Sequence, residues 1–152
     1  MTHLAAVAGS HVQEEAVEFC SYCGSLEFEG QRVCSECGLG VRLATADGVL
    51  RAPGAAFLVV RADGRVSAAS ASAERMLTTH GDLVGKPVLA LLPSPDSTAE
   101  LTRLISLAAA GDPRIVEVDA ELVGTARRRA VVRAKVTACG LPPAALVVLE
   151  RA

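Results

Sequence analysis

The sequence predicts an α+β protein in two unequal parts: a small four-cysteine unit, then a larger domain of five antiparallel strands with helices between the second and third. Three observations carry this expectation. Four of the five cysteines fall in two Cys-x-x-Cys-Gly units, Cys20 to Gly24 and Cys34 to Gly38. Asp63-Gly64 separates two apolar runs, a strong short-range signal for a β-hairpin. From Ile115 onward, apolar and charged residues alternate at period two, as half-buried strands require.

Composition narrows the class. Hydrophobic residues make up 51% and charged residues 21%, so a packed core is expected rather than disorder. Aromatics are only 3% (Phe19, Tyr22, Phe28 and Phe57), which leaves the core to Ala, Val and Leu. A net charge of −2 argues against a nucleic-acid binder, which needs a basic stripe. The charge is uneven: residues 1–50 carry two basic against seven acidic side chains, and residues 51–152 thirteen against ten. No apolar run approaches the roughly 20 residues of a membrane span. Leu4–Ala8 is too short for a secretory signal, and no basic residue precedes Arg32. A cytoplasmic location with no membrane partner is therefore expected, and there clustered cysteines read as metal ligands before disulfides.

The expected organisation is an N-terminal segment over 1–16, a metal unit over 17–43, a linker over 44–54 and the larger domain over 55–152. Ser10-x-x-Gln13 is a candidate cap for a short helix in the first segment. Gly48, Pro53 and Gly54 mark the linker.

In the metal unit, each Cys-x-x-Cys lets two sulfurs approach one ion from a tight turn. The following glycine permits the positive φ such turns favour. Cys20, Cys23, Cys34 and Cys37 thus supply four thiolates, the donor set of a structural zinc site. The pattern resembles a zinc ribbon. Short strands are expected at Val17–Phe19, Leu26–Phe28, Gln31–Val33 and Val41–Leu43, with Phe19, Tyr22 and Phe28 clustered around the metal. So small a unit cannot fold alone, and metal binding is expected to stabilise it. Two alternatives stay open: an iron site, since four thiolates also suit iron, and a redox switch that ejects zinc on oxidation. With all four positions filled by protein, catalytic zinc is not expected.

In the larger domain, strands are expected over 55–61 and 66–69. Ser70 is a candidate N-cap for a short helix through Ala73, Met76 and Leu77 that stops before Gly81. Ser97-x-x-Glu100 matches a capping box, and Leu101, Leu104, Ile105 and Ala108 form one apolar stripe. Two alternating strands follow, joined by a turn around Gly124–Ala126. That turn sets a register with Val118 opposite Val132 and Ala120 opposite Ala130, and the charge match of Glu121 opposite Arg129 and Glu117 opposite Arg133 supports it. The last strand, Ala144 to Leu149, is apolar on both faces, so its outer face must be covered by the N-terminal segment or a second subunit.

The element order resembles a PAS domain over about residues 53–150. Local stretches agree at Phe57-Leu-Val-Val-Arg-Ala-Asp-Gly-Arg-Val66, Ala73-Glu-Arg-Met-Leu77, Asp82-Leu-Val-Gly-Lys-Pro87 and Leu91-Leu92-Pro93. The resemblance implies a five-stranded antiparallel sheet in the order 2-1-5-4-3, with helices on one face. It implies sensing, protein contact or dimerisation rather than catalysis. Family members often have Asn where this chain has Ser70, which alters the usual side-chain link. Haem-binding members place a ligand, commonly His, on or near the longer helix. Here that helix has none, and His80 reads as a loop residue. The photoactive Asn-Cys-Arg-Phe motif is absent, so neither haem nor flavin is expected. Cys139 reads as a small buried side chain. Phe57 is the one aromatic expected inside.

No phosphate loop or tied nucleophile appears, so no enzyme and no catalytic residue are expected. The expected role is a cytoplasmic signalling module acting on a protein partner in trans, with a homodimer through the sheet face. The alternatives are a transcription-associated regulator whose ribbon touches nucleic acid or polymerase, and the thiol redox sensor.

Overall fold

The computed structural model describes residues 16–26, 33–34, 36–46, 48–50, 55–77, 81–93, 98–123 and 129–151. The expected N-terminal helix, the strands around Glu29-Gly30 apart from Leu26 and Val33, His80, Ser97 and the turn at Gly124–Ala126 lie outside them.

Among the described residues, seven strands form one antiparallel sheet: β1 (Ala16–Cys20), β2 (Arg42–Ala46), β3 (Ala56–Val60), β4 (Val66–Ala69), β5 (Val116–Val123), β6 (Arg129–Cys139) and β7 (Ala144–Arg151). Among the described residues, three helices, α1 (Ala71–Met76), α2 (Val88–Leu91) and α3 (Thr98–Ala109), separate β4 from β5. The order β4-β3-β7-β6-β5 is the 2-1-5-4-3 arrangement expected for the larger domain. The Asp63-Gly64 turn is present: Gly64 has φ 82° and donates its N–H to the Arg61 carbonyl, while Asp63 Oδ1 accepts from the Arg65 N–H.

The front of the chain extends this sheet. β1 pairs with β2 from Ala16↔Ala46 to Cys20↔Arg42. β2 then pairs with β6 at Thr45↔Cys139, past the end of β5 at Val136. The Gly140 N–H donates to the Ala44 carbonyl, and Thr45 Oγ1 donates to the Ala138 carbonyl. Residues 44–54, expected as a linker, therefore include the end of β2, and Val49 and Leu50 within them are buried. Gly48 turns the chain with φ of 87°, and this does not prevent Val49 and Leu50 beside it from packing.

The sheet has two apolar faces. The helices cover the inner one, where Leu101, Leu104, Ile105 and Ala108 of α3 pack with Leu58, Val60, Val132, Ala134, Val136 and Val147. Each large side chain buried there contributes about 1.5–3 kcal/mol. The outer face carries Phe57, Val59, Leu146 and Val148, covered by Phe19, Val49 and Leu50. The cover expected over β7 is present, but it comes from the four-cysteine unit and from residues 49–50 rather than from the segment over 1–16 or a second subunit. Phe57, expected inside, points outward instead: its ring meets Phe19 edge-on, with centroids 5.3 Å apart. The inner cluster contains no aromatic among the described residues.

The β5–β6 register differs from expectation by two residues. Val118 faces Ala134, Ala120 faces Val132 and Leu122 faces Ala130. A two-residue slip keeps every side chain on its own face, so hydrophobic alternation cannot detect it. Of the charge pairs that supported the expected register, Glu117 and Arg133 are exposed, and such a pair contributes little. Glu117 still reaches Arg133, diagonally, at 3.6 Å. Lys135, nearly buried on the outer face, pairs with Glu150 at 2.9 Å.

Ser70 joins the sheet to α1. Its Oγ accepts from the Ala73 N–H at 3.1 Å and from the Phe57 N–H at 2.9 Å, and its own N–H donates to the Phe57 carbonyl. The serine hydroxyl thus caps the helix and bonds the first strand of the hairpin. Ser70→Ala strands two buried donors and is expected to lower stability by about 1–3 kcal/mol in urea titration. A change below about 0.5 kcal/mol would show that neither bond matters.

Candidate metal centre

The two knuckles are near copies. At the end of β1, the Cys20 N–H donates to the Ser25 carbonyl, and the Gly24 N–H donates back to the Cys20 carbonyl. In the second, the Cys34 N–H donates to the Gly40 carbonyl, and the Gly38 N–H to the Cys34 carbonyl. Gly24 and Gly38 take φ of 76° and 70°, the left-handed conformation expected after each second cysteine. Ser21 ties the knuckles together: its N–H donates to the Val41 carbonyl, and its Oγ accepts from the Val41 N–H.

The four predicted ligands converge. The Sγ atoms of Cys20, Cys23, Cys34 and Cys37 lie within 4.8 Å of one another. Cys20 and Cys37 are 3.6 Å apart, and Cys23 and Cys34 are 3.7 Å apart. Metal–sulfur bonds of about 2.3 Å in a tetrahedron give sulfur–sulfur edges of about 3.8 Å. The spacing fits one ion, and all five cysteines are free thiols rather than disulfides.

The local field prepares the sulfurs unequally. The Leu39 N–H, with that of Gly40 behind it, holds the Cys37 thiol down at about 6. Burial pushes Cys23 up to about 12, and the surrounding thiols add to the rise. Burial also raises Cys20, against the pull of the Cys23 and Tyr22 N–H groups. Four adjacent thiolates need a cation among them to ionise together, and a divalent ion supplies that charge.

Gly40 is a site residue that the motif reading missed. A Cβ there would overlap the Cys20 sulfur and come within 2.9 Å of the Tyr22 nitrogen. Its only sequence signal is a second glycine two residues after Gly38, which does not separate close approach from ordinary turn use. Gly40→Ala is expected to cost about 1–3 kcal/mol. The loss should appear as weaker retention of metal against a competing chelator; retention equal to the parent's would contradict the packing.

The expected aromatic cluster around the metal is not formed by Phe19, which turns to the sheet and meets Phe57. Phe19 is one residue from Cys20, but the apolar surface of β3 and β7 offers it far more contact than the knuckle does. Tyr22 is half-buried, and Phe28 lies outside the described residues. Cys139 is buried in the outer-face cluster with Phe19, apart from the four, and burial pushes its thiol up to about 12. Surface cavities lie on the larger domain among the described residues. One, of about 240 Å³, lies between α3 and β5 with Arg103 and Arg114 among its lining; the other, of about 210 Å³, lies beside Gly64 and Pro87. Both are smaller than the ~300–1,000 Å³ usual for ligand pockets.

No family model and no curated protein matches the chain. Its structure is similar to solved PAS domains. The PAS domain of an HTR-like protein from Haloarcula marismortui superposes with a TM-score of 0.51 at 10% identity, over 64% of this chain and 86% of that one. The PAS domain of a protein from Colwellia psychrerythraea gives 0.51 at 15% identity, over 64% and 85%. At such identity the likeness is one of fold, and the sheet with its inner-face helices is PAS-like.

Proposed function

We propose that this chain is a signalling module in which a structural zinc centre braces a PAS-like sensor or dimerisation domain that acts on a protein partner in trans. One observation carries this reading: four cysteine sulfurs gather at one point, on a hairpin that is itself hydrogen-bonded to the edge of a PAS-like sheet. A centre with four protein thiolates and zinc's preference for four ligands leaves no open position for a substrate. The metal is therefore structural, and no catalytic role is assigned. The aliphatic inner core supports a domain without haem or flavin.

Reduced thiols suit the cytoplasm, and no helix among the described residues is long and apolar enough to cross a membrane. A second copy is the partner proposed for the outer sheet face. Phe19, Val49 and Leu50 occupy its β3–β7 half, which leaves the β5–β6 half, around the exposed Val131 and Arg133, as the pairing surface. Native mass spectrometry of protein purified without added metal tests the whole reading. The expected species is a dimer with one zinc ion per chain. A metal-free monomer would overturn it.

A second reading, a redox sensor, is favoured by the partial exposure of Cys23 and Cys37, one from each knuckle, which gives an oxidant a path to the cage. Peroxide should then release zinc within minutes; zinc content unchanged by mild peroxide would remove it.

A further inference from the structure

We infer that the metal centre is a clamp that governs whether the outer face of the PAS-like sheet is covered, and that it reports its occupancy to the start of α1. The inference rests on the proposal that the centre holds a metal.

The first knuckle grips the larger domain at two points. Phe19, immediately before Cys20, packs edge-on against Phe57. The carbonyl of Tyr22, between Cys20 and Cys23, accepts the Ala71 N–H at 2.9 Å. These contacts converge. Both backbone groups of Phe57 are bonded to Ser70, and Ser70 immediately precedes Ala71 at the head of α1. Phe19, Phe57, Ser70, Ala71 and Tyr22 therefore form a closed circuit, and Cys20 lies between its two knuckle members.

The second knuckle leads into the other half of the cover. β2 follows Cys37, docks on β6 through Ala44 and Thr45, and runs on to the buried Val49 and Leu50. β1 has β2 as its strand partner among the described residues. A two-stranded hairpin is marginal by itself, and a metal held by both knuckles supplies what it lacks.

The inner core draws on none of these groups. Metal loss should therefore loosen Phe19 and Tyr22 while the helices stay packed on the sheet. Phe57, Val59, Leu146 and Val148 then form a bare apolar patch of the kind that marks interaction surfaces.

Amide exchange on the full chain, zinc-loaded and after chelation, with metal content measured on the same samples, tests the clamp. Chelation is expected to raise the exchange of the Ala71 amide and of the β1 amides by at least about tenfold, with Leu104 and Ile105 unchanged. Binding of an apolar dye should rise in parallel. Phe19→Ala is expected to keep its zinc yet bind the dye, which separates uncovering from metal loss. An Ala71 amide that stays protected after zinc has left would overturn the clamp. So would loss of protection throughout α3, because the centre would then belong to one cooperative unit. A chain that takes up no metal overturns the clamp together with the proposal beneath it, and the metal content identifies that case.

Discussion

Cys20→Ser is expected to empty the metal centre and unfasten the front of the chain. Cys20 is fully buried, ends β1, and its sulfur accepts from the N–H groups of Tyr22 and Cys23. Structural zinc in small four-ligand units contributes about 10–16 kcal/mol of apparent folding free energy, so losing one of four thiolates removes a large share of it. Metal per chain should fall from about one to near zero under mild chelation. Thermal unfolding of the front should move to much lower temperature. Cys139→Ala is the matched control: a buried thiol outside the cage, whose loss should leave metal content unchanged. Equal zinc retention in the Cys20 variant and its parent would show that this sulfur is not a ligand.

Phe57→Ala is expected to destabilise the chain by about 3–5 kcal/mol in urea titration, the range for deleting a buried aromatic ring. Phe57 is fully buried although it lies on the outer face, because Phe19 from β1 covers it. The deletion opens a void between Phe19 of β1 and the outer sheet face, so β1 should loosen along with the global loss. A cost below about 1 kcal/mol would mean that the outer face is not packed in solution.

Much of the fold was legible because it follows from local chemistry. Asp63-Gly64 dictates a hairpin, and the stripe from Leu101 to Ala108 dictates which side of α3 is buried. The two-sided apolarity of β7 demanded a cover, and Phe19, Val49 and Leu50 supply it. The convergence of the four cysteines was legible for the same reason, since Cys-x-x-Cys spacing encodes the approach of two sulfurs to one point.

What was not legible depends on distant partners. Phe19 is compatible with a cluster at the metal or with contact on the sheet, and only the position of Phe57 decides. The β5–β6 register is silent to alternation because a slip of two preserves both faces. Gly40 is required by a sulfur twenty residues away, and nothing beside it in sequence says so. Residues 44–54 carry linker chemistry, but β2 extends into them because the edge of β6 beyond β5 offers hydrogen bonds that the sequence does not announce.

X-ray absorption at the metal edge, on protein purified from cells grown with ordinary metal supply, bears most directly on the centre. The expected spectrum is that of zinc in a single shell of four sulfurs at about 2.3 Å. A shell containing nitrogen or oxygen, fewer than four sulfurs, or an edge belonging to another metal would contradict a zinc cage built from Cys20, Cys23, Cys34 and Cys37.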